Sequence, residues 1–208
     1  MCLQSLHMWQ DIEKACGVRL LEMTGELDFA DTRSEELETV CTVLAELGQP
    51  FERLTPAQVN VRFPSFSLPA SAQAVYNPAA AVLNPTLAMQ TLQDMSKAMG
   101  ADVRENTRVK SISQDEGEPT IKISLEGGET LCARTCIVTT GAWTKTLLAD
   151  YNIPIRPIAT FGTYWKIDPA FESEHRAPAF PVFIKYDEPS IYGLPLNELN
   201  EGVKVWLA

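Results

Sequence analysis

Segments of helical period and segments of period two alternate along this chain, and their order constrains its architecture more than any single motif. Leu3, Leu6, Trp9, Ile12 and Cys16 recur at helical spacing and stop at Gly17, a helix already in progress at Met1. No capping residue precedes it, so the natural chain is expected to continue upstream. Residues 18–23 and 26–29 read as two short strands around Thr24-Gly25. A second helix takes its cap from among Asp31, Thr32 and Ser34, buries Leu37, Val40, Cys41, Leu44 and Leu47, and ends at Gly48 and Pro50. Thr55-Pro56 and Asn84-Pro85 each offer a cap followed by proline at the first helical position. The second of these opens a helix over Leu87, Leu92, Met95 and Met99 that Gly100 closes.

After Gly100 the period changes to two. Residues 103–105, 108–112, Ile121–Leu125 and Thr130–Ala133 read as strands, with Gly127-Gly128 turning a hairpin. Residues 136–139 form a short apolar run before Gly141, the composition of a parallel strand buried on both faces. Residues 160–167, 180–185, 190–194 and Val203–Leu207 complete a second, mostly antiparallel sheet. The fold class is therefore α/β plus α+β, two lobes with the chain crossing between them.

Charge and composition narrow the function classes. Lys and Arg number 17 against 27 Asp and Glu, a formal net charge of -10 that repels phosphate backbones and anionic lipid, so nucleic acid is not an expected partner. No residue between Arg62 and Asp94 is charged, but Pro64, Pro69, Pro78 and Pro85 interrupt that stretch, and it does not read as a membrane span. The five cysteines lie in apolar patterns, which predicts buried free thiols in a reducing compartment. Cys132 and Cys136 have only His7 and His175 to complete a metal site, at the wrong spacing, and no metal is expected.

Two histidines and no G-x-S-x-G leave little for a hydrolase. No two glycines are separated by a single residue, so no dinucleotide fingerprint is present. The informative segment is R-T-C-I-V-T-T-G-A-W-T-K-T-L-L at residues 134–148: a strand ending in small residues and a glycine lets backbone approach a ligand. On its own it reads sooner as a tight strand-to-helix turn with Trp143 in the core.

I-V-T-T-G-A-W-T at residues 137–144, preceded by G-A-D-V-R-E-N-T-R-V-K-S-I at residues 100–112, resembles the FAD-dependent oxidase family of sarcosine, N-methyl amino acid and pipecolate oxidases. T-G-E-L at 24–27, R-F-P at 62–64, Y-W at 164–165, I-Y-G-L-P at 191–195 and G-V-K-V at 202–205 follow in the family's order. The resemblance implies a partial FAD-binding, Rossmann-like layer over residues 85–150, interleaved with a substrate domain whose first part is 1–84 and whose antiparallel sheet is 151–208. It implies that the backbone at Val109 meets the adenine portion of FAD and that Thr139, Gly141 and Trp143 lie beside the cofactor.

By the same resemblance Tyr192 faces the substrate cavity and Lys204 sits near the flavin ring, where dioxygen is reduced. Alone, Lys204 is a solvated strand lysine and Tyr192 a core or edge aromatic. The implied reaction oxidises the C–N bond of a small secondary amine or N-methyl or cyclic amino acid, with dioxygen as acceptor, in a monomeric cytoplasmic or peroxisomal parent.

The departures are the glycine-rich loop, the basic residue for a substrate carboxylate and the flavin-linking cysteine, none of which matches here; His7 and His175 do not align with the family's active-site histidine. This chain is accordingly expected to be an internal, inactive piece of such an oxidase. A noncatalytic sheet domain acting as an interaction module, and a flavin dehydrogenase with another acceptor, stay open.

Overall fold

In the computed structural model, residues 2–115, 117–197 and 202–207 are described. In chain order the elements are α1 (Cys2–Cys16), β1 (Leu21–Met23), β2 (Glu26–Ala30), α2 (Glu35–Glu46), β3 (Glu52–Leu54), α3 (Pro56–Arg62), β4 (Gln73–Asn77), β5 (Ala81–Leu83) and α4 (Pro85–Ala98). They continue with β6 (Val109–Gln114), β7 (Ile121–Leu125), β8 (Thr130–Ala133), α5 (Thr144–Leu147), β9 (Gly162–Trp165), β10 (Val182–Lys185), β11 (Ile191–Leu194) and β12 (Val203–Leu207). The chain forms two units, Met1–Leu92 with Phe161–Ala208, and Gln93–Thr160.

Local chemistry sets the helix starts. Ser34 accepts a hydrogen bond from the Leu37 amide, and Glu35, Glu36 and Glu38 place negative charge at the positive end of α2. Thr55 and Gln58 form a reciprocal capping box with Pro56 at the first helical position of α3. Asn84 Oδ1 accepts from the Leu87 amide at 2.9 Å, starting α4.

The first unit is built on a seven-stranded sheet in the order β3-β4-β2-β10-β11-β12-β9, in which only β2 and β10 run parallel. Because side chains alternate along a strand, the sheet has two distinct faces. On one face Leu27, Phe29, Tyr76, Phe183 and Val203 meet Val59 of α3 and Phe63 just past its end, together with Phe66 and Phe180. The rings interlock, Phe66 against Phe180 at 4.8 Å and Phe63 against Tyr76 at 5.3 Å between centroids. On the other face Leu37 and Cys41 of α2 pack on Ala30 and Val75, with Phe51 and Tyr186 against them.

The strands on either side of Thr24-Gly25 exist but do not pair with each other. β1 pairs with β5, while β2 joins the large sheet. The Thr24 and Gly25 amides both donate to the Ala80 carbonyl, at 3.2 and 3.0 Å, and pin the chain where it changes sheets. Gly25 is required there twice over: its φ is +67°, and a Cβ would stand 2.2 Å from the Tyr76 hydroxyl.

In the second unit β6, β7 and β8 form an antiparallel meander. Gly128, at φ +87°, turns β7 into β8 with its amide donating to the Leu125 carbonyl.

Several expectations are corrected. Residues 103–105 are not a strand, because Arg104 turns outward to Asp102 and Glu129 and the chain turns at Asn106 with φ +53°. Residues 136–139 are not a strand either. They find no ladder partner among the described residues, and Ile137 is 84% exposed rather than buried on both faces. Trp143, at 71% exposure, is no core residue. In α4 the buried positions are Ala88 and Thr91, and Met99 is exposed. Of the four cysteines whose side chains are described, only Cys41 is buried; Cys16 and Cys132 are exposed.

Candidate functional site

Register carries a row of side chains across the large sheet from β2, beside α2, to the edge strand β9. Asp28 pairs with Ile184, Ile184 with Tyr192, Tyr192 with Trp206 and Trp206 with Gly162. One step along, Leu194 pairs with Lys204 and Lys204 with Tyr164. Period two therefore places Tyr192, Lys204, Trp206 and Tyr164 on one face.

These four touch. The Tyr192 and Trp206 rings stack at 5.6 Å with 28° between planes. Lys204 Nζ lies 4.1 Å from the centroid of the Trp206 ring and 5.7 Å from that of Tyr164, so the ammonium is held against aromatic faces. The half-buried Lys204 is thus no freely solvated strand lysine. Trp206 Nε1 is buried without a hydrogen-bond partner among the described residues.

At the other end of the row stands an acidic group that sequence reasoning missed. Glu26 and Asp28 project from β2 to this face, and Asp28 is buried. Burial, with the Glu26 charge beside it, pushes the Asp28 carboxyl up to about 7, against which the hydrogen bond from Tyr186 acts. Burial also raises Glu26, and Tyr186 is raised by burial and by the Asp28 charge. Asp28 Oδ1 has no hydrogen-bond partner among the described residues. The signal was in T-G-E-L-D-F-A: strict alternation with Leu27 and Phe29 committed to the core leaves two carboxylates together on the opposite face.

The proposed cofactor residues all belong to the second unit. Val109 opens β6, half-buried and paired with Leu125 beside a bulge. Thr139 is exposed, and Gly141 and Trp143 are the first and last residues of a single 3₁₀ turn leading into α5. Gly141 has φ +54°, and no heavy atom lies within 4 Å of where its Cβ would stand. α5 lies against β6, which brings the turn and the strand of Val109 into one unit.

A cavity of about 360 Å³ opens in the first unit between β1, β5 and the segments around Arg176 and Leu196. Neither Tyr192 nor Lys204 lines it. Among the described residues no helix is long and apolar enough to cross a membrane, and no three metal-ligating side chains converge.

Comparison with known proteins gives this arrangement its context. The family model described as FAD dependent oxidoreductase matches residues 1–205. A probable sarcosine oxidase of Arabidopsis thaliana is 27% identical over 99% of this chain and 51% of its own length. An N-methyl-L-tryptophan oxidase of Yersinia pestis is 25% identical over 98% of this chain and 53% of its own.

Among solved structures, NikD, described as an unusual amino acid oxidase essential for nikkomycin biosynthesis, superposes with a TM-score of 0.75 at 20% identity, over 99% of this chain and 53% of that one. An L-proline dehydrogenase of P. horikoshii gives 0.74 at 19% identity, over 98% and 53%. These two show a shared fold. The chain spans about half the length of the curated relatives it matches.

Proposed function

The chain belongs to the FAD dependent oxidoreductase family, and from that premise we propose that the protein oxidises the C–N bond of a small secondary amine or N-methyl or cyclic amino acid, giving an imine and hydrogen peroxide. Its relatives support the substrate class: one is named for sarcosine and another for N-methyl-L-tryptophan. Residues 85–150 are proposed as the cofactor domain and residues 1–84 and 151–208 as the substrate domain; the unit at Gln93–Thr160 overlaps most of the former. The isolated 208 residues are proposed to turn over little or no substrate; the parent acts as a monomer in the cytoplasm or a peroxisome.

The residues at the second unit fit the cofactor. The space where a Gly141 Cβ would stand is open, and Thr139 and Trp143 flank it as exposed groups, so a flat ring can approach the backbone closely. Val109, Thr139, Gly141 and Trp143 would hold FAD by backbone and van der Waals contact. When bound, FAD accepts the electron pair released from the substrate and passes it to dioxygen.

Lys204 supplies a fixed positive charge. Reduction of dioxygen creates an anion, and a preorganised ammonium stabilises it without rearrangement of solvent. Tyr192, stacked on Trp206, presents a rigid aromatic surface to the substrate and excludes water from the same face. The single observation that carries this reading is the half-buried Lys204 held against aromatic rings.

The test is oxygen consumption and peroxide formation by the FAD-loaded, full-length protein with sarcosine, pipecolate and N-methyl-tryptophan. Amine-dependent uptake with equimolar peroxide supports the reading. Substrate-dependent bleaching of the flavin without oxygen uptake points to a dehydrogenase. A second reading, an interaction module without catalysis, draws on the exposed Ile137 and Trp143. Full-length protein that retains no flavin absorbance after removal of free FAD favours it.

A further inference from the structure

We infer that Trp206 is a positioning residue for Lys204, setting where its ammonium sits on the substrate-facing wall. The inference rests on the proposed role of Lys204 and adds the device that holds it. Three independent features of the sheet serve the indole rather than the core.

The first is on β9, directly across from Trp206. Gly162 has no Cβ, and one built there would lie 3.1 Å from the Trp206 ring, tighter than ordinary contact. The second is on β11, where Tyr192 stacks on the indole from the other neighbouring strand. Flanked on both sides, the ring has little freedom to leave its rotamer. The third is the indole N–H, which is buried without an acceptor among the described residues. A tryptophan whose polar edge is unsatisfied is poor choice for packing alone, since an apolar ring would fill the space without that cost. What the indole gives in return is its face, and Lys204 Nζ lies over that face at 4.1 Å.

Tryptophan is the strongest partner for a cation among aromatic side chains. Lys204 and Trp206 are two residues apart on one strand, so their side chains share a face whatever the neighbouring strands do. A lysine has a long, flexible stem and would otherwise sample many positions. Held over the indole, its charge is preorganised, which is the property that electrostatic stabilisation of an anion requires.

The test uses the FAD-loaded, full-length protein carrying [ε-¹³C]lysine, with W206L, W206F, K204M and the double variant W206L/K204M. In the wild type the Lys204 ε-methylene resonance, identified by its loss in K204M, is expected upfield of the other lysines because it lies over a ring. W206L returns it to the ordinary position and W206F keeps part of the shift. Reoxidation of the reduced enzyme by dioxygen slows roughly two- to thirtyfold in W206L, the range a cation–π contact spans, recovers in W206F, and is no slower in the double variant than in K204M.

An unshifted Lys204 resonance in the wild type, or an equal slowing by W206L with and without Lys204, overturns the inference. If K204M itself reoxidises at the wild-type rate, the dioxygen role of Lys204 fails. The resonance then still decides whether Trp206 holds it.

Discussion

The two faces of the large sheet are made by the same strands and do opposite work. On β2, Leu27 and Phe29 are buried in an aromatic core, while Glu26 and Asp28, one residue out of phase, carry ionisable groups to the other side. On β12, Val203 enters the core and Lys204 and Trp206 join the wall. Period two thus separates stability from chemistry by a single residue step. The consequence is that substitutions at adjacent positions should fail in different ways.

The sharpest break of that contrast is Leu27→Ala. Leu27 is fully buried among Phe and Tyr rings, so its truncation removes transfer energy and leaves a cavity, about 2–5 kcal/mol of stability. Urea unfolding should show a lower midpoint, while activity per folded molecule stays close to wild type. Loss of activity from fully folded L27A protein would mean that the two faces are not separable.

A smaller effect comes from the other face. Asp28 titrates near 7 when folded and near its ordinary 3.8 when unfolded. Between those values the folded state holds the extra proton, so this group's contribution to stability is complete below about pH 4 and is lost as pH rises through 7. The swing amounts to a few kcal/mol on the order of 1.4 per pH unit. Asp28→Asn should flatten that part of the stability profile, measured by thermal unfolding from pH 4 to 8. An unchanged slope would show that Asp28 is not the titrating group.

Much of this molecule was legible in its sequence, and the misses share a cause. Caps act locally, through bonds to amides three residues on: Ser34 was one of three candidates, and Thr55 and Asn84 were read directly. So were β10, β11 and β12, whose residue types suit a half-buried sheet. β4 and β5 were not read as strands, because they lie in a charge-free, proline-interrupted stretch with no alternation to mark them. The run at residues 136–139 failed in the opposite direction: its composition suits a buried strand, but a strand needs a hydrogen-bonding neighbour, which local composition cannot supply.

At the candidate site Lys204 and Tyr192 were found through family resemblance, and the structure brings them into one aromatic cluster through Trp206. Trp206 was missed because its importance lies in cross-strand partners, Tyr192 and Gly162, that no spacing within β12 displays.

The most direct test of the wall's chemical role is the rate at which reduced, FAD-loaded full-length protein reacts with dioxygen, compared between wild type and Lys204→Met. We expect a fall of about 10²–10³-fold with the reduction of flavin by substrate and the unfolding midpoint nearly unchanged. A wild-type reoxidation rate in K204M would contradict the assignment of Lys204 as the group that stabilises reduced oxygen.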